Sequence, residues 1–296
     1  MTMWMTGLLG LLLGVFGTLA LWRLRQVGAA TATAAAGTRR IEQALAIAQR
    51  DRAAADEKLK RLETRLGALR QQVNHDAINL QRAQMREIES LHQLYGGFAP
   101  RAPMPSSGHW ALNPTDLLAL LHLVERRRPA LVVELGSGTS TLWLAYALER
   151  IGGRIVSLDH DPRYAAKTRE MLRAHGLDAV AEVRDAPLRQ ITVRDAEFDW
   201  YDVSAVTDLK DIDLLLVDGP PGSIGPLSRY PALTVLRPRL APGATVVLDD
   251  FGREDERETL RRWVSEDGTL TVEATLIGQH AVLSCARATT PAQRSA

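Results

Sequence analysis

The sequence predicts an α/β fold in which a mostly parallel, doubly wound sheet follows a long helical N-terminal region. After residue 108, short apolar runs alternate with helical segments, the order expected of a parallel sheet covered by helices on both faces. The run IDLLLVD over 212–218 is almost continuously apolar, as in a strand buried on both sides. Residues 38–95 contain no proline and one glycine, Gly67, which favours a long helix.

Composition places the chain among ordinary globular proteins. Of its 296 residues, 24% are charged and 46% are apolar, which excludes a disordered, collagen-like or multi-spanning membrane protein. The formal net charge of +1 gives no indication of a nucleic-acid partner. The single cysteine, Cys285, excludes an intramolecular disulfide and a multi-cysteine zinc site.

Residues 1–25 have the pattern of a transmembrane anchor. Residues 3–22 carry no charged side chain and have the length, about 20 residues, that spans a bilayer as a helix. A cleaved signal peptide is the alternative, but no basic residue precedes the apolar stretch. Because Arg23 and Arg25 follow it directly, the positive-inside rule predicts a single pass with the rest of the chain in the cytoplasm.

Residues 26–95 are predicted to form a coiled-coil helix. Apolar residues recur at alternating spacings of three and four at Leu59, Leu62, Leu66, Leu69 and Val73. Arg52 and Asp76 interrupt this seam, so the sequence does not define the number of helices in the assembly. One interpretation is self-association into a homo-oligomer, and the other is a single long helix packed on its own domain.

A segment rich in Pro, Gly and Ser over 96–108 predicts a linker, and an α/β domain is expected over 109–288. Apolar runs predict seven strands at 131–135, 154–159, 180–183, 212–218, 244–249, 269–276 and 281–286. Helical segments precede and separate them at 115–127, 141–151, 163–175, 230–236 and 254–265. The last two strands are expected to be antiparallel, and residues 289–296 are expected to form a flexible tail.

The first predicted strand runs directly into the sequence ELGSGTST, which begins at Glu134. Glycines allow the backbone to approach a ligand closely, and the following helix start offers free N–H groups. In a doubly wound sheet, this edge is where nucleotides bind. The dinucleotide fingerprint requires a third glycine where Thr141 stands, so a nicotinamide cofactor is disfavoured.

The string VVELGSGTST resembles the first motif of the class I S-adenosylmethionine-dependent methyltransferases. The resemblance implies a Rossmann-like fold and S-adenosylmethionine as cofactor. In that family, the glycine loop and the acid before it lie near the methionine part, a later acid binds the ribose hydroxyls, and an acid followed by a small residue contacts adenine. The matching residues here are Glu134, Gly136, Ser137, Gly138, Asp159, Asp185 and Ala186. Asp159 follows Gly136 by 23 residues, which suits a carboxylate that accepts two hydrogen bonds from a ribose.

Three further carboxylates are expected at the same edge of the sheet. Asp218 follows the fourth strand, and Asp249 and Asp250 follow the fifth. Such hard oxygen ligands suit Mg²⁺ or another divalent cation. The pattern is similar to that of catechol-type O-methyltransferases, which have an Asp-Asn pair after the fifth strand, so Asp250 puts a charge where a neutral ligand is expected. The alternative is that Asp250 caps the next helix while Asp249 orders the loop.

Candidates for the proton acceptor and for the substrate contacts follow the second and fourth predicted strands. Catechol-type enzymes carry a lysine base shortly after the fourth-strand aspartate, whereas no lysine follows Lys210 here. The candidate bases are therefore Asp218 and His160, and His109 lies in a segment that can fold over the site. The string DGPPG…RYPAL resembles a bacterial group of small-molecule methyltransferases, which implies substrate binding by Arg229 and Tyr230, with arginine as a bidentate fork.

These features together predict a membrane-anchored methyltransferase of a bacterial inner membrane that methylates a hydroxyl oxygen of a small molecule or glycan. The anchor favours an acceptor made at the membrane, such as a lipid-linked glycan. Two alternatives stay open: a non-catalytic coiled-coil scaffold with a methyltransferase-like ligand-sensing domain, and a nicotinamide-dependent enzyme acting on nucleotide sugars. No nucleic-acid partner is expected.

Overall fold

The computed structural model describes residues 2–107, 111–273 and 278–286, without the side chains of residues 2–6, 8, 9, 11 and 12. The chain divides into two compact units, Met1–Leu80 and Gln81–Ala296. His109 and the predicted tail over 289–296 lie outside the described residues. The predicted strand over 269–276 also falls partly outside them.

The N-terminal region is one continuous helix, α1 (Thr2–Gly97). The predicted membrane span over 3–22 lies within it, partly on residues whose side chains are outside the described set. In the part of the chain that the structure describes, no helix combines the length and the apolar character needed to cross a bilayer, so the span is not confirmed. The five seam residues from Leu59 to Val73 are 49–57% exposed, and their pairing with another helix stays a prediction.

The end of α1 belongs to the globular unit. Leu94 is fully buried, and the ring of Tyr95 meets Trp143 edge to face at 5.5 Å between centroids. Glu87 accepts a hydrogen bond from the backbone N–H of Thr115 at 2.9 Å. The globular unit therefore begins before the segment predicted as a linker, because these turns of α1 cover an apolar face of the domain.

The globular unit is built from alternating strands and helices. The strands are β1 (Leu131–Leu135), β2 (Arg154–Asp159), β3 (Ala181–Asp185), β4 (Leu188–Val193), β5 (Ala196–Tyr201), β6 (Ile212–Val217), β7 (Leu240–Leu248), β8 (Leu270–Val272) and β9 (Ala281–Cys285). The helices are α2 (Pro114–Arg127), α3 (Thr139–Ile151), α4 (Pro162–Ala174), α5 (Pro231–Leu236) and α6 (Glu254–Glu266).

Seven of these strands form one sheet in the order β3-β2-β1-β6-β7-β9-β8. The final strand, β9, is antiparallel to both of its neighbours, and the other pairs are parallel. The predicted doubly wound sheet with an antiparallel last strand is thus confirmed. Its central strands are apolar on both faces because helices pack on each side, which is why β1 and β6 lack an alternating pattern.

The hairpin formed by β4 and β5 is absent from the sequence prediction. Its strands are largely polar along their outer faces, so their apolar periodicity is weak. Trp200 and Tyr201 at the end of β5 are fully buried, and together with Val193 of β4 they anchor the hairpin in the core.

Candidate functional site

The carboxyl ends of β1, β2, β6 and β7 meet at one edge of the sheet. Because these strands are parallel neighbours, the residues that follow them come together although they are distant in sequence. This edge carries the glycine loop after β1, Asp159 at the end of β2, Asp218 after β6 and the Asp249-Asp250 pair after β7.

The two glycines of the loop, Gly136 and Gly138, have different surroundings. Gly136 has φ of +101°, and a side chain there would bring Cβ to 3.1 Å from the backbone oxygen of Asp218. Its N–H donates to the carbonyl of Leu158 at 2.8 Å, which ties the loop to β2. Gly138 is different, since no atom lies within 4 Å of the position that a Cβ would take. The loop thus presents an open backbone surface at the start of α3.

Glu134 supports this loop from inside the protein. Its carboxylate is fully buried and accepts hydrogen bonds from the hydroxyls of Ser140 and Thr141 at 2.6 Å and of Ser157 at 2.5 Å. Burial raises the pKa of Glu134, while these three hydroxyl groups act in the opposite direction. Thr141, at the position of the missing third glycine, also accepts from the N–H of Gly138 at 3.0 Å. Thr141 therefore links the buried acid to the loop.

Asp159 and Ser137 form a second polar unit at the edge. One carboxylate oxygen of Asp159 accepts from the Ser137 hydroxyl at 2.6 Å, and the other accepts from the N–H of Asp161 at 3.0 Å. His160 Nδ1 lies 3.8 Å from Asp159 Oδ1. Asp159 is only 5% exposed, so its orientation is defined before any ligand binds.

Asp185 and Ala186, which the family resemblance implies as adenine contacts, lie beside Asp159. Asp159 and Asp185 are paired across the β2–β3 ladder, and the N–H of Ala186 donates to the carbonyl of Asp159 at 2.8 Å. The Asp185 carboxylate is half-exposed and is held by Arg169 at 3.0 Å. The three positions thus form a continuous row with the glycine loop.

Arg229, predicted to bind substrate, lies at the centre of the carboxylate cluster and is only 3% exposed. Its Nη2 donates to Asp218 Oδ1 at 3.1 Å and to Asp250 Oδ2 at 2.8 Å, and its Nη1 donates to the Asp249 carbonyl at 2.9 Å. Its Nε lies 3.7 Å from the buried Glu256. The guanidinium fork is therefore directed at acids of this chain.

Tyr230, the other predicted substrate contact, is buried in the core. Its hydroxyl donates to Glu266 at 2.7 Å, and its ring packs against Phe198 at 5.7 Å. Its backbone carbonyl accepts from the indole N–H of Trp263 at 2.8 Å. These contacts give Tyr230 a structural role on the side of α6.

Asp218, Asp249 and Asp250, the carboxylate trio, each offer an oxygen within 4.8 Å of the others. Burial raises the pKa of Asp218 well above its usual value, and the charge of Asp249 adds to this. Burial is the largest single effect and opposes ionisation of Asp249, but the hydrogen bond and charge of His280, together with hydrogen bonds from Asp218 and the Asp250 backbone, outweigh it and lower the pKa of Asp249 to about 2. His280 Nε2 lies 3.1 Å from Asp249 Oδ1. In this arrangement, Asp249 holds the negative charge and Asp218 retains a proton more readily.

A cavity of about 320 Å³ opens above the trio. Sequence reasoning missed its other walls, which include Asn113, Asp116 and Gln279. Asp116 is buried at the start of α2 and accepts hydrogen bonds from Asn113 Nδ2 at 2.7 Å and from the backbone N–H of Gln279 at 3.0 Å. No motif marks these residues, because Asp116 and Gln279 are 163 positions apart and meet only in the folded domain.

Residues 133–251 match a family model described as a methyltransferase domain. A curated relative named transmembrane O-methyltransferase, from Propithecus coquereli, is 39% identical over 80 residues, which is 24% of this chain and 29% of that protein. The Homo sapiens protein of the same name is also 39% identical over 80 residues, 24% of this chain and 27% of that protein. The match thus spans less than a third of the length of these curated relatives.

Solved structures with a similar fold include an O-methyltransferase from Bacillus cereus in complex with SAH, with a TM-score of 0.47 and 17% identity. It aligns with 69% of this chain and 91% of that chain. The SAH-bound methyltransferase PaMTH1 of Podospora anserina has a TM-score of 0.46 and 15% identity over 68% of this chain and 88% of that chain. The family match, the strand order and the glycine loop at the sheet edge together indicate a methyltransferase domain within the globular part of this chain, similar to the class I S-adenosylmethionine-dependent methyltransferases.

Proposed function

We propose that this protein transfers a methyl group from S-adenosylmethionine to a hydroxyl oxygen of a small molecule. The observation that carries the proposal is the row formed by the glycine loop, Asp159 and Asp185, which ends beside the cavity above the carboxylate trio. The two relatives described above are named transmembrane O-methyltransferase, which favours oxygen as the acceptor atom.

The residues at this edge fit the cofactor in shape and in chemistry. Open space at Gly138 leaves room for a ligand against the backbone, and the N-terminus of α3 follows directly. Asp159 is suited to accept hydrogen bonds from ribose hydroxyls, and Asp185 with Ala186 is placed to border the adenine. When bound, S-adenosylmethionine supplies a methyl group activated by a positively charged sulfonium.

The acceptor is proposed to bind in the cavity above the trio. Asp218 lines this cavity and is the group best placed to take the hydroxyl proton, whereas His160 is not among the residues that line it. His160 lies beside Asp159 and is better suited to border the ribose. The protein otherwise acts by positioning the two reactants and by keeping the acceptor oxygen oriented.

If S-adenosylmethionine is the cofactor, its affinity for the protein should depend strongly on Asp159. Isothermal titration calorimetry of the full-length protein with S-adenosylmethionine should show micromolar binding. Asp159→Ala should weaken it about 100-fold, because two charge-assisted hydrogen bonds are lost. The exposed Asp178 in the turn before β3 provides the matched control, and Asp178→Ala should bind like the wild type.

Two outcomes of this titration would contradict the proposed function. Selective binding of NAD over S-adenosylmethionine would favour the nicotinamide-dependent alternative. No binding of either molecule by a folded protein would favour the non-catalytic scaffold.

We further propose that residues 1–25 associate with a membrane and that the seam of α1 pairs with a second copy of the chain. In support, residues 1–22 carry no charged side chain, and Phe16 and Leu21 are 71% and 63% exposed. The acceptor would then be a lipid-linked molecule, and the globular unit would face the cytoplasm. Membrane fractionation of cells that produce the full chain and a variant lacking residues 1–25 tests this, and equal recovery of both in the membrane fraction would contradict it.

A further inference from the structure

We propose that the guanidinium of Arg229 is the resident cation of the carboxylate trio and that the trio does not take a divalent metal while Arg229 is in place. Arg229 thereby acts as a positioning residue that holds Asp218 towards the acceptor cavity. This last role rests on the proposed function, whereas the exclusion of metal depends only on the geometry of the cluster.

Each carboxylate of the trio already has an oxygen in contact with a basic side chain of this protein. Arg229 Nη2 lies 3.1 Å from Asp218 Oδ1 and 2.8 Å from Asp250 Oδ2, so one nitrogen joins the two outer carboxylates of the trio. The third carboxylate, on Asp249, has its Oδ1 3.1 Å from His280 Nε2. A metal bound by the trio would therefore compete with a buried guanidinium and an imidazole for the same three carboxylate groups.

The side chain of Arg229 is buried and is held in place by contacts with several residues. The side chain is 4% exposed, and Nη1 is held by the Asp249 carbonyl at 2.9 Å. Nε lies 3.7 Å from Glu256, which is itself buried. Ser228, the residue before it, is also buried and donates to the Pro220 carbonyl at 3.2 Å, which fixes the loop that carries Arg229. Contacts with Nη1, Nη2 and Nε therefore hold the guanidinium within the cluster.

The charge of Asp250 is already paired with two positively charged side chains. Asp250 adds a negative charge where the resemblance to catechol-type enzymes leads one to expect a neutral amide. That extra charge is matched by Arg229 and by Arg253, whose Nη1 lies 2.8 Å from the same Asp250 oxygen. A divalent ion bound at these outer carboxylates would lie at close range to the two guanidinium groups and would be repelled by each of them. The donor set therefore suits an organic cation better than a free metal ion.

Electron paramagnetic resonance with Mn²⁺ as the probe tests this on the full-length protein without cofactor. The wild type should bind Mn²⁺ more weakly than about 1 mM, the range of the loosest oxygen-ligand sites. Arg229→Met should bind it at least about 100-fold more tightly, because the trio is then free. Arg253→Met keeps Arg229 and is the matched control, in which Mn²⁺ binding should stay weak.

The charge-balanced double variant Arg229→Met/Asp250→Asn covers the case in which the single variant does not fold, and it should also bind Mn²⁺ more tightly than the wild type. Micromolar Mn²⁺ binding by the wild type that is lost in Asp249→Asn would overturn the inference. So would a folded variant lacking Arg229 that gains no affinity. These results are distinct from the titration with S-adenosylmethionine, whose failure would contradict the proposed function and leave the Mn²⁺ result standing.

Discussion

Replacing Arg229 by methionine is expected to lower the free energy of unfolding by about 3–5 kcal/mol, the cost typical of removing one partner from a buried ion pair. Methionine has a similar length but no charge, so Asp218, Asp250 and Glu256 would face one another without their shared cation. Urea unfolding of the globular unit, followed by the fluorescence of its buried tryptophans, measures the loss.

Two comparisons separate this effect from the general cost of losing an arginine. Arg163 pairs with Asp161 on the surface with its side chain 86% exposed, so Arg163→Met should leave the urea midpoint nearly unchanged. The double variant Arg229→Met/Asp250→Asn should recover part of the stability, because one uncompensated charge is removed. Equal losses in the Arg163 and Arg229 variants would contradict the role assigned to Arg229.

The substitution Gly138→Val is expected to weaken S-adenosylmethionine binding by at least about 100-fold, or about 2.7 kcal/mol, with little change in stability. The reason is that the space next to Gly138 contains no protein atom within 4 Å of a Cβ, so the added side chain would occupy the volume proposed for the cofactor. Calorimetry measures the affinity, and the urea midpoint confirms that the variant is folded.

Gly268→Val provides the control for Gly138→Val. Gly268 also has no atom within 4 Å of its Cβ position, but it lies in the turn before β8, away from the glycine loop. This variant should bind the cofactor like the wild type. Unchanged cofactor binding by a folded Gly138→Val protein would show that the cofactor does not lie against this loop.

Short-range patterns predicted much of the domain. The strand bounds of β1 and β2 agree with the apolar runs, because a buried parallel strand must be apolar on both faces. The glycine loop, Asp159 and Asp185 also follow from the sequence, since residues just after parallel strands meet at one edge of the sheet. The hairpin of β4 and β5 escaped prediction because its alternation of apolar and polar residues is weak.

The sequence did not predict which residues pair with the charged side chains of the site. Arg229 has the chemistry of a substrate fork, and nothing in its local sequence indicates that Asp218, Asp250 and Glu256 surround it. Likewise, Asp116 and His280 lie near opposite ends of the domain's sequence and belong to no motif, so only the fold brings them to the site.

The sequence alone thus determined the class of fold, the position of the glycine loop and the row of acids beside it, because each depends on the order of residues along single strands. The tertiary structure decided what the acids face. It placed Glu134 under the loop and Arg229 inside the trio, since burial and ion pairing arise only when distant strands and loops pack together. The same acid can hold a ligand, a metal or an arginine, and only its neighbours in space distinguish these roles.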